Sequence, residues 1–67
     1  MVELDDIVEI IVDGVKVFSG TMRTIPTEAH NWVQANAEKN ESFSGLPLFN
    51  NVNVFTVHAE EEPLWLV

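Results

Sequence analysis

No cysteine occurs in the 67 residues, which excludes disulfides and thiolate metal sites. A domain of this size buries only about 60% of its extended-chain surface. Its stability must then come from close packing, a partner, or a metal held by histidine and carboxylate. Positive charge is equally scarce: Lys16, Arg23 and Lys39 stand against eleven acids, for a net charge of −8. Such a chain repels phosphate backbones, so direct binding to DNA or RNA is not expected. The same field attracts basic protein surfaces, and at the least it keeps a small apolar protein in solution. Gly14, Gly20 and Gly45 are isolated and form no phosphate-cradling loop. No apolar run approaches bilayer length, so no membrane association is expected. Residues 1–6 are acidic where a secretory leader would be basic. The expected location is the cytoplasm, that of the host if the chain is phage-encoded.

What is present is a hydrophobic fraction of 46%, ample for a core, in one domain over residues 1–67. Asp13-Gly14 interrupts a run of β-branched residues, the pattern of a two-residue hairpin turn. It predicts strand one over 4–12 and strand two over 15–21. In that register Val12 faces Val15, Ile10 faces Val17 and Val8 faces Ser19, which makes an apolar core face. Ile7, Ile11 and Phe18 lie on the other face among Glu9 and Lys16.

Residues 23–40 read as a helix, with Thr24 or Thr27 as cap and Pro26 in its first turn. Its stripe is Ile25, Ala29, Trp32, Val33, Asn36 and Ala37. Residues 41–51 read as a loop, unusually apolar through Phe43, Leu46, Leu48 and Phe49, that folds over an open end of the core. Strand three follows over 52–59, and "PLWLV" at 63–67 reads as a short last strand that packs Trp65 on its own sheet or on a neighbouring copy. The fold class is α+β, ββαβ(β): one helix on a three- to four-stranded, mainly antiparallel sheet of order 2-1-3(-4). A helical crossover normally returns a strand parallel to the one it left. Strand three beside strand one is therefore expected to run antiparallel to it.

Two expectations about sites follow. Antiparallel neighbours would gather Glu3, Asp5 and Asp6 with Glu60, Glu61 and Glu62 at one acidic corner. The helix would leave Ile7, Ile11, Phe18 and one of Phe55 or Val57 on an uncovered face, a patch larger than a monomer usually exposes. Those six acids, Ile7, Ile11, Phe18 and Trp65 are the candidate partner-binding residues. No catalytic residue is assigned. Ser19, Ser42 and Ser44 stand in no triad context, His30 reads as a surface side chain, and so short a chain has little room for a pocket. No cofactor or resident metal is expected, although His58, Glu60 and an acid of strand one make a weak metal-site alternative.

The functional expectation is a small acidic, non-enzymatic interaction protein that docks on a protein partner, a basic surface being the kind its charge attracts. Its sharper form is an inhibitor or nucleic-acid mimic of the phage or mobile-element type, an analogy of composition alone. The alternative is a homodimer or larger homo-oligomer whose copies bury the second sheet face.

Overall fold

Asp13 and Gly14 both take positive φ, 49° and 84°, and the chain reverses between β1 (Ile7–Val12) and β2 (Val15–Thr21). The structure, a computed structural model, describes residues 1–37, 42–44 (backbone alone) and 51–66. After β2 come two 3-10 turns, Met22–Thr24 and Thr27–Ala29, then helix α1 (His30–Ala37). A three-residue strand β3 (Ser42–Ser44) precedes β4 (Asn51–Val57), and 3-10 turns at Ala59–Glu61 and Leu64–Leu66 finish the chain. The architecture is α+β, with sheet order β2-β1-β4-β3. Strand three of the sequence reading is β4, and it lies beside β1 as expected. Among the described residues no helix is long and apolar enough to cross a membrane.

The hairpin keeps the expected register for two pairs, Val12 with Val15 and Ile11 with Lys16, and then slips. Val17 is an extra residue, a β-bulge, so that Ile10 faces Phe18 and Glu9 faces Ser19. The slip carries Phe18 from the expected second face to the core face. There the end of its ring would lie 3.3 Å from a Cβ at Gly20, and Thr24 Oγ1 would lie 3.1 Å from the same Cβ. Glycine therefore gives the ring its place on the strand. Val15 and Val17, expected inside, are 63% and 43% exposed.

β4 runs parallel to β1, pairing Ile7 with Val52 through Val12 with Val57. This overturns the expected antiparallel direction and makes the sheet mixed. The physical reason is β3. It pairs antiparallel with β4 in the register Ser42–Asn53, Phe43–Val52 and Ser44–Asn51. The strand that first follows the helix, β3, thus runs parallel to β2, as the crossover rule requires, and it is the next strand, β4, antiparallel to β3, that lies beside β1. The fourth strand is this β3, within the segment read as a loop, and the tail at 64–66 is a 3-10 turn rather than a strand. The apolar residues Leu46, Leu48 and Phe49 of that segment lie outside the described residues, as do Lys39, Asn40 and the rest of 38–41.

The helix is shorter than its sequence signature. Ile25 precedes a proline and is extended, φ −82° and ψ 138°, as the steric demand of the proline ring requires. The regular helix therefore begins only at His30. Thr24 does not cap it; its hydroxyl donates to the Thr21 carbonyl at 2.8 Å. The apolar stripe is placed as expected, with Ile25, Ala29 and Val33 buried. They meet Val8, Ile10, Val12, Phe55 and Val57 from the sheet, together with Met22 and Val2.

The bulge yields a direct expectation. Phe18→Ala should lower stability by about 2 kcal/mol, a discounted value for a half-buried phenylalanine, while Val17→Ala changes it by under about 0.5 kcal/mol. Urea melts of the two variants check this. The order would reverse in a hairpin without the bulge.

Candidate functional site

The parallel pairing separates the two acidic segments. β1 enters the sheet just after Glu3, Asp5 and Asp6, and β4 leaves it just before Glu60, Glu61 and Glu62. They therefore sit at opposite ends of a six-residue strand, about 17–20 Å apart along its axis. The single acidic corner does not form.

At the entering end, residues 3–6 make a tight turn. The Asp6 amide donates to the Glu3 carbonyl at 3.1 Å, and the Glu3 amide donates to Asp6 Oδ2 at 2.8 Å. Asp6 is 4% exposed. The turn is docked on the segment after β2: the Met22 amide donates to the Asp6 carbonyl and the Arg23 amide to the Leu4 carbonyl, both at 2.9 Å. Arg23 also pairs with Asp5 at 2.8 Å, with both side chains largely in solvent, a contact worth at most about 1 kcal/mol. Ahead of the turn, the Gln34 side chain holds Val2 from both sides. It accepts from the Val2 amide at 3.0 Å and donates to the Val2 carbonyl at 2.9 Å, as a neighbouring strand would.

At the leaving end, the segment that carries the three glutamates is tied at its start to Asp13 of the hairpin turn. The Ala59 amide donates to Asp13 Oδ1 at 3.3 Å, and His58 Nδ1 lies 3.6 Å from the same oxygen. The His58 amide donates to Glu61 Oε1 at 3.2 Å. The metal-site alternative thereby loses its strand-one acid. Among the described residues no three histidine or acidic side chains group as metal ligands would.

The sheet face turned away from α1 carries Ile7, Ile11, Val52 and Val54, all partly exposed. Glu9 lies among them and accepts from Lys16 Nζ and Ser19 Oγ, each at 3.2 Å. Ile7 and Ile11 are where the sequence placed them. Phe18, Phe55 and Val57 belong instead to the core side, and Val52 and Val54 take their place.

Trp65, a partner-binding candidate whose tail was expected to pack on its own sheet or on a neighbouring copy, packs on its own chain. Its ring stands edge-on to Phe18 at 6.1 Å and to Trp32 at 5.9 Å, and Trp32 in turn lies 5.7 Å from Phe55. Pro63 beside it is buried. The indole Nε1 of Trp65 is buried with no hydrogen-bond partner among the described residues. Leu64 points outward, 88% exposed.

A feature missed by the sequence reading is a cleft of about 550 Å³ at the entering end, lined by Val2, Asp6, Gln34, Asn51 and Asn53 among others. The expectation of little room for a pocket was wrong. Its sequence signal was Asn53, a carboxamide in the alternation that puts Phe55 and Val57 in the core.

Comparison with protein-family models, curated proteins and solved structures gives no match.

The orphaned indole N–H sets a test of the tail. Trp65→Ala should cost about 2–3 kcal/mol. Trp65→Phe keeps most of the contact and removes a buried donor that costs about 1–3 kcal/mol, so it should be neutral or stabilising in a denaturant titration. A loss of more than about 1.5 kcal/mol on Trp65→Phe would show that the N–H is bonded.

Proposed function

We propose that this protein is a non-enzymatic interaction module that docks on a basic protein surface through the sheet face opposite α1. The supporting observation is that face itself: Ile7, Ile11, Val52 and Val54 are partly exposed on it, around Glu9 and Lys16, the charged side chains on it among the described residues, which pair with each other. The rest of the chain supplies the charge. Two of its three cations are engaged in ion pairs, so a net −8 field remains to steer a basic partner toward contact. Apolar side chains then hold what charge has brought near.

An inhibitor acting in this way suits the composition. A nucleic-acid mimic needs carboxylates ordered along one surface, and here they stand at two ends of the sheet, so face docking is the form of the reading put forward. A second reading, a homo-oligomer, is favoured by Val15 and Val17, exposed on β2, which is an edge of the sheet among the described residues. Sedimentation over a range of concentrations decides it, since a strict monomer would remove it.

The docking reading is tested by capture from the native host with wild type, Ile11→Lys and Val54→Lys as bait, at low and high salt. The expected result is a basic protein retained by the wild type, lost from both variants, and weakened as salt shortens the reach of the field. The same proteins retained by all three baits would overturn the reading.

A further inference from the structure

The cleft at the entering end of β1 differs chemically from the rest of the core. Among the described residues the buried polar or charged side chains are Asp6 and Asn53, each 4% exposed, and both line this one cleft. Gln34 and Asn51 add two more carboxamides to its wall. No lysine or arginine lines it among the described residues, and Arg23 is occupied by Asp5.

Asn53 stands where the fold calls for an apolar residue. It pairs with Val8, which is fully buried, and aligned residues on parallel neighbours share a face. It therefore occupies a core-face position in line with Phe55 and Val57. A polar group kept at such a position lowers stability relative to an aliphatic one, and departures of this kind concentrate at functional sites. The wall is also held in place beforehand. Gln34 is locked by its two bonds to Val2, Asp6 is fixed by the Glu3 amide, and neither Asn51 nor Asn53 is without a partner.

A carboxylate flanked by carboxamides, whose oxygens each accept more than one hydrogen bond, suits a planar cation with several N–H donors. We propose that this cleft binds an arginine side chain of the basic partner. The guanidinium meets Asp6, and its remaining donors reach the amide oxygens beside it. The proposal rests on the docking reading for the source of the arginine, but its chemistry can be tested without any partner.

The probe is acetyl-Gly-Arg-Gly-amide, titrated into ¹⁵N-labelled protein, with the uncharged citrulline peptide as its isostere. Saturable shifts are expected at the side-chain amides of Gln34, Asn51 and Asn53 and at the backbone amides of Val2 and Glu3, with none from citrulline. Asp6→Asn should weaken binding about tenfold, the loss expected when a charge-assisted bond becomes a neutral one. If Asp6→Asn fails to fold, Asn53→Leu decides. It keeps the Asp6 turn intact, should fold, and should bind about tenfold more weakly for want of its amide. No saturable shift, equal shifts from citrulline, or full binding by Asn53→Leu would overturn the proposal. A flat titration would remove the cleft and leave the sheet face to its own capture experiment.

Discussion

Four aromatic rings in contact, Phe18 to Trp65 to Trp32 to Phe55, tie together β2, the tail, α1 and β4. Helix α1 is only eight residues long and cannot cover a whole sheet face. It supplies Val33 and Trp32, which lie over β4. The side toward β2 is closed by the tail, through Pro63, Trp65 and Leu66. The tail thus does for β2 what a second helix would do in a larger protein. It can do so only because the bulge at Val17 turns Phe18 toward it. Aromatic rings suit this task in a small domain, since each buries a large area for few ordered torsions.

Much of the fold was legible. Asp13-Gly14 fixed the turn, Val8, Ile10 and Val12 are the core face of β1, and Ile25, Ala29 and Val33 are the buried stripe. Each of these rests on local periodicity or local backbone conformation. What was not legible depends on non-local choices. The bulge satisfies both strands of the hairpin equally well in pattern, and only Trp65, 47 positions away from Phe18 along the chain, favours the version with Phe18 inside. The direction of β4 depended on β3, a three-residue strand too short to register as a period. The tail alternates like a strand, but Pro63 and the aromatic contacts hold it as a 3-10 turn. The acidic corner failed with the strand direction from which it was inferred. The cleft was missed because its polar residues come from three separate segments of the chain.

The charge distribution follows from the same topology. Parallel β1 and β4 carry Glu3 and Asp5 to one end and Glu60, Glu61 and Glu62, joined by Asp13, to the other. This spreads like charges over the length of the sheet, which lowers their mutual repulsion in so small a domain. It leaves the face with Ile7, Ile11, Val52 and Val54 between two acidic ends. Apolar contact in the middle and charge at the rim is the arrangement common to protein interfaces.

The account turns on Trp65 meeting the displaced Phe18 within one chain. A double-mutant cycle of Phe18→Ala and Trp65→Ala measures that contact directly. The predicted coupling is about 0.5–1.5 kcal/mol, the range for an edge-to-face aromatic pair, and it should not vary with protein concentration. A coupling indistinguishable from zero, or one that grows with concentration, would contradict the account, because the tail would then be packing elsewhere or on another copy.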